Sequence, residues 1–143
     1  MARQSVFEET PSRTCSTGVC NPKRTQGLKA PASKGRHTLV SLKGPGVFVA
    51  AQVTKQGGNT GLTFVNLEID GRNVTSLSFA AADNMGLTQQ NPYGIVLLRG
   101  KLIETFTVGF TSLLRFEKDL VLSVTVNEQG VVQIIGNVIH GQA

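Results

Sequence analysis

The chain reads as an all-β protein: an antiparallel β-sandwich, jelly-roll-like, with an extended N-terminal arm. Val, Ile, Leu and Gly dominate the second part of the chain, and aromatics are sparse, with no Trp, one Tyr and seven Phe. Branched side chains suit a pleated surface and frequent Gly suits tight turns. Strand-length apolar segments recur at a spacing of roughly 8–14 residues with no helical pattern between them, which favours a sandwich or jelly roll over a parallel α/β sheet. The third observation is a split near position 46. Residues 1–46 carry Arg3, Arg13, Lys23, Arg24, Lys29, Lys34, Arg36 and Lys43 against Glu8 and Glu9, a formal +6, whereas residues 47–143 come to −1.

Residues 1–36 show neither a 3.6 nor a 2 period and are rich in Ser, Thr, Pro, Gly, Lys and Arg. Pro11, Pro22 and Pro31 break helices and push the preceding residues toward extended geometry. We therefore expect a basic, irregular arm over 1–36 and a sandwich domain over 37–143. Cys15 and Cys20 enclose four residues; two cysteines cannot complete a tetrahedral zinc site, and free thiols are expected ahead of a disulfide formed after release from the cytosol.

Strands are expected at 37–42, at 46–54 after the Gly44-Pro45-Gly46 turn, and at 62–69. Asp70-Gly71 signals a hairpin, since both central positions of a type I′ turn need positive φ. The chain returns over 73–79, with Leu77 and Phe79 inward. Residues 80–93 open on one helical turn at most, because Gly86 and the turn at 91–94 stop a longer helix. Segments 95–98 and 102–110 flank Arg99-Gly100, and 113–116 is a short strand or bend. Leu120, Leu122, Val124 and Val126 alternate strictly with their neighbours, so a one-residue slip would turn the whole row outward. Gly130 suits a left-handed turn position, and 131–139 returns apolar on both faces, which predicts burial between two layers and a last hairpin at the centre of the core.

Catalytic patterns are missing. The two histidines, His37 and His140, are far apart and read as surface or edge-strand residues, and no Gly-x-Ser-x-Gly occurs. Glu68, Asp70, Asp83, Glu104, Glu117 and Asp119 fall at turns or on faces expected to meet solvent, so no carboxylate pair stands out. The segment 94–101 has one residue too many for a phosphate-binding loop and is followed by Leu102. No enzyme activity, cofactor or metal is expected. Residues 1–20 contain no apolar stretch of secretory-signal length, and no run suggests a membrane span, so the chain reads as made in the cytosol. Asn73-Val74-Thr75 fits the N-glycosylation tripeptide, a pattern common by chance.

Two binding elements remain. The eight cations of the arm are spaced singly, with only Lys23-Arg24 adjacent, and no aromatics interleave for base stacking, which favours docking on protein neighbours over nucleic acid. The loops 55–61 and 83–93 hold Gln56, Asn59, Asn84, Gln89, Asn91 and Tyr93, amides and a ring face of the kind that bind sugars.

With its Pro/Gly/Ser-rich arm, its compact body rich in Val, Gly, Asn and Thr, and no catalytic set, the chain resembles small β-sandwich structural proteins of tailed-phage particles, of the decoration, head-fibre or tail accessory type. The resemblance implies a virion subunit assembled in the host cytoplasm. It further implies a symmetric homo-oligomer, often a trimer, whose arm grips a neighbour or another shell or tail protein, with no membrane partner. The alternative is a carbohydrate-binding module built on the loops 55–61 and 83–93.

Overall fold

The computed structural model describes residues 15–16, 18–100 and 103–143. Ten strands and one short helix follow in order: β1 (Cys15–Ser16), β2 (Val19–Lys29), β3 (Gly35–Lys43), β4 (Gly46–Gly57), β5 (Thr63–Ile69), β6 (Arg72–Ser78), α1 (Phe79–Asn84), β7 (Ile95–Arg99), β8 (Ile103–Phe116), β9 (Asp119–Val126) and β10 (Val131–Gln142). They form an antiparallel sandwich of two sheets, ordered β1-β2-β10-β4-β8-β7 and β3-β9-β5-β6. Without the short β1 and β7, the remaining eight strands run 1-8-3-6 and 2-7-4-5, the winding of a jelly roll.

Local chemistry sets several elements. Asp70 and Gly71 both take positive φ, 52° and 78°, and close the β5–β6 hairpin. Ser78 caps α1 by accepting from the Ala81 N–H at 2.9 Å, which ends β6 one residue early. Phe79, expected at the end of a strand, thus opens the helix and is buried there. The sandwich interior holds Phe48, Phe106, Leu67, Leu122 and Ile134, each essentially inaccessible. Burial of each such side chain contributes roughly 1.5–3 kcal/mol. Leu39 closes one side: a Cβ on Gly27 of β2 would sit 1.8 Å from the Leu39 carbonyl oxygen, and one on Gly136 of β10 would sit 2.7 Å from its Cδ1. Backbone bars any larger residue at Gly27, and at Gly136 the Leu39 side chain would have to shift, so the two glycines let β3 cross close to the other sheet.

The structure corrects five expectations. Residues 19–29 are not irregular but form β2, laddered to β10 from Ile134↔Lys29 to Gln142↔Cys20. Its side chains are mostly exposed, so the strand owes its place to backbone pairing and leaves no apolar period. Cys15 and Cys20 are disulfide-bonded, because the β1–β2 hairpin sets them directly opposite each other. The last two strands are no hairpin: β9 lies between β3 and β5 in one sheet and β10 between β2 and β4 in the other, each central. Finally, 113–116 is continuous with β8, and β10 is not covered on both faces, since Ile139 is 43% exposed.

Candidate functional site

The inward row at one end of the six-stranded sheet is charged. Lys55 of β4 pairs across the ladder with Glu104 of β8, and Glu104 with Arg99 of β7. The Lys55 Nζ lies 3.1 Å from Glu104 Oε1 and 3.0 Å from Oε2 of Glu128, which follows β9. Arg99 reaches Glu104 Oε2 at 2.9 Å through Nε and Asp83 Oδ2 of α1 at 2.8 Å through Nη1. Five side chains of alternating sign thus run Asp83–Arg99–Glu104–Lys55–Glu128 from the surface inward. Lys55 also stands 4.9 Å from the Phe79 ring centroid, where the ring face attracts a cation.

Glu128 is fully buried. Burial alone would push its carboxyl up, but hydrogen bonds outweigh it: Thr63 Oγ1 donates at 2.6 Å, Lys55 at 3.0 Å, and the Gly61 and Thr60 N–H groups at 2.9 and 3.0 Å. The result is a pKa lowered to about 2. The sequence reading placed Lys55 in a loop and Glu104 in solvent. Lys55 is instead the last inward residue of β4, 1% exposed, and Glu104 faces it from β8. A polar cavity of about 400 Å³ adjoins the chain, lined by Lys55, Asn59, Asp83, Asn84, Arg99 and Glu104. Mixed-charge walls of this kind can donate to and accept from a hydroxylated ligand.

The six loop residues expected to bind together are divided. Asn59 and Asn84 meet at that cavity, and Asn59 Oδ1 accepts from the Gln129 N–H at 3.1 Å. Gln56 belongs to β4 and pairs with Ile103. Asn91 staples its own loop, donating to the Gln89 and Ile95 carbonyls at 3.0 and 2.7 Å and accepting from the Tyr93 N–H at 2.9 Å. Tyr93 is 72% exposed and lines a separate apolar groove with Val74 and Met85.

Of the arm cations, Arg3 and Arg13 lie outside the described residues. Lys23, Arg24 and Lys29 stand on β2, Lys34 in the following turn, and Arg36 and Lys43 on β3. Arg36 pairs with Glu68 at 3.3 Å, an exposed contact worth roughly 0–1 kcal/mol. His140, expected on an edge or surface, is buried in central β10 beside Thr25 Oγ1 at 2.7 Å. Burial, and secondarily the nearby Lys23, lower its pKa.

The outward face of the six-stranded sheet carries no second layer among the described residues. Its register aligns Arg24–Ile139–Ala50–Gly109 in one row and Gln26–Asn137–Gln52–Thr107–Val96 in the next. Asn137 Nδ2 donates to Gln52 Oε1 at 2.9 Å, and Gln52 Nε2 to Thr54 Oγ1 at 3.0 Å. The loop at 90–94 overhangs these rows and encloses a groove of about 520 Å³. Around it Leu28, Leu98 and Ile103 are exposed.

Among the described residues no three or more His, Cys, Asp or Glu side chains group to hold a metal ion, and no helix is long and apolar enough to cross a membrane. No protein-family model matches the chain, and no curated protein matches it in sequence. Among solved structures it is similar to a chain in the structure of infectious bursal disease virus Gx strain, at 12% identity and a TM-score of 0.24. The match covers 92% of this chain and 45% of that one, so this chain corresponds to less than half of the other's length, and a likeness of this size carries no argument about function.

Proposed function

We propose that the protein is a non-enzymatic structural subunit of a virion, of the capsid-decoration or tail accessory type, that self-associates and docks on neighbouring subunits through its basic N-terminal part. The carrying observation is the uncovered outer sheet face. Leu28, Leu98, Ile103 and Ile139 project from it to solvent while Arg24 stands in the same face. A face of this kind, with exposed apolar side chains set among amides and a cation on a two-layer fold, suits an interface. The subunit assembles in the host cytoplasm, and the Cys15–Cys20 disulfide forms after release into oxidising surroundings. Nucleic acid is the lesser partner, because these cations interleave with few aromatics.

Sedimentation velocity over a wide concentration range tests the reading. Self-association is expected, and Leu28→Asp with Ile139→Asp should weaken it without changing the circular dichroism. A wild-type chain that stays monomeric at every concentration overturns it.

A second reading keeps the polar cavity as a carbohydrate site, since Asn59 and Asn84, from the two loops expected to bind, meet there. On a glycan array, binding abolished by Asn84→Ala and untouched by Tyr93→Ala would support it; no binding by the wild type would remove it.

A further inference from the structure

The outer-face groove has three features that the described residues leave unused. Gly109 stands inside β8 without positive φ, and a Cβ there would meet nothing nearer than the Ala50 Cβ at 3.8 Å. Glycine weakens a strand interior and marks places where a ligand or another segment comes close. Neither a turn nor a tight neighbour requires it here, so with Ala50 opposite it leaves a hollow in the groove floor. Asn137 Oδ1 is buried with no hydrogen-bond partner among the described residues, a state that calls for a donor. Arg24 brings a cation to the rim.

The N-terminal segment is placed to supply all three complements. The antiparallel register Cys15↔Cys20 and Ser16↔Val19 points β1, followed from Ser16 back to Cys15, along β2 toward Arg24, and the disulfide fixes that end of β1. From Cys20 to Arg24 is ~13 Å along the strand, and from β1, where Cys15 stands, to the space between β4 and β8 is ~17 Å across it, a diagonal of ~21 Å. Phe7 lies eight residues before Cys15, a reach of ~26 Å when extended. Phe7 is the one aromatic in residues 1–14, and Glu8 and Glu9 follow it with the sign opposite to Arg24.

We infer that the groove is the docking site of the chain's own N-terminal segment, with Phe7 seated over Ala50 and Gly109, a backbone N–H beside it donating to Asn137 Oδ1, and Glu8–Glu9 facing Arg24. The inference does not depend on self-association: a segment in the groove covers Ile139 and Arg24 but leaves Leu28, Leu98 and Ile103 of the same face outside it. It assigns the disulfide a task, holding the launch point within reach of the groove.

Photocrosslinking of the full chain with Phe7→p-benzoylphenylalanine tests it, in an equal mixture of ¹⁴N- and ¹⁵N-labelled protein mapped by mass spectrometry. The expected crosslinks join position 7 to the β4 and β8 peptides around Ala50 and Gly109, always within one isotope label. Gly109→Trp, which fills the hollow, should abolish them. Arg24→Glu at an exposed position should reduce them, and the further change of Glu8→Lys and Glu9→Lys should restore them. Crosslinks outside the groove, or an unchanged yield in a folded Gly109→Trp protein, overturn the inference. So do groove crosslinks between differently labelled chains, which would instead give the groove to the arm of a neighbour and strengthen the assembly reading. Intrachain groove crosslinks in a strictly monomeric protein would leave this inference standing and sink the assembly reading.

Discussion

The two ends of the sandwich are tied by the same device in opposite surroundings. At one end Glu128 gathers the Thr60 and Gly61 N–H groups, the Thr63 hydroxyl and Lys55 in a dry interior. At the other, the Asp70 carboxylate accepts from the backbone N–H groups of Glu117, Lys118 and Asp119 at the β8–β9 turn, in contact with water. Both carboxyls are held below their ordinary pKa, Asp70 first by the Glu117 N–H and then by Lys118. The difference lies in what removal leaves behind. Water can replace Asp70, but nothing replaces Glu128, so the buried end concentrates the energetic risk.

The largest expected effect is therefore at Glu128. Glu128→Ala should lose about 3 kcal/mol or more in urea denaturation, because buried donors and part of the Lys55 charge are left uncompensated. A loss within the range of an ordinary surface substitution would refute the view of Glu128 as the staple of this end.

Acid titration of stability comes next. The folded pKa of Glu128 is below its unfolded one, so its contribution is complete above about pH 4.5 and is lost as pH falls toward about 2. By linkage the loss is on the order of 3 kcal/mol. Asp70, held low by the Glu117 and Lys118 N–H groups, adds a loss of the same sign as pH falls below the ordinary aspartate range. Glu128→Gln should flatten most of this slope while Asp70→Asn flattens little of it; the reverse ranking would invert the comparison between the ends.

At neutral pH Asp70→Asn should destabilise less than Glu128→Ala, and its effect should appear as faster amide exchange confined to the β8–β9 turn. Exchange that quickens across both sheets would mean the exposed end is as critical as the buried one. The smallest effect is expected at Gly109→Ala, within about 0.5 kcal/mol of wild type, since the position has room for the methyl group. A large loss there would show that the hollow serves the fold itself.

These contrasts also explain what was legible in the sequence. The strands of the four-stranded sheet were readable, though not their order, because β9 alternates and the Asp70-Gly71 turn leaves few options. The strand β2 was not, since its neighbour β10 satisfies its backbone while Lys23, Arg24 and Gln26 stay in water. Of the site, Asn59 and Asn84 were flagged on loops that do converge, but the charges between them were hidden. Lys55 sits next to a Gly-rich turn and reads as solvated; only its ladder partners Glu104 and Ile134 reveal an inward position. The alternation of Val53 and Lys55 along β4 was the available signal, and it ran into the prior that lysines face water.

The central positions of β9 and β10 govern when the molecule can fold. Before those strands leave the ribosome, among the described residues β3 lacks its ladder partner and β2 has only β1, while the β5–β6 and β7–β8 hairpins and the long-range β4–β8 pair are the ladders able to close. Each lone hairpin is marginal in water. Residues 119–142 must then insert a strand into both sheets, against loop-closure costs that grow with the span between partners such as His140 and Lys23. Nascent chains should thus expose unpaired β2, β3 and β5 edges until late in synthesis, and folding should be slow, collective and sensitive to truncation inside β9.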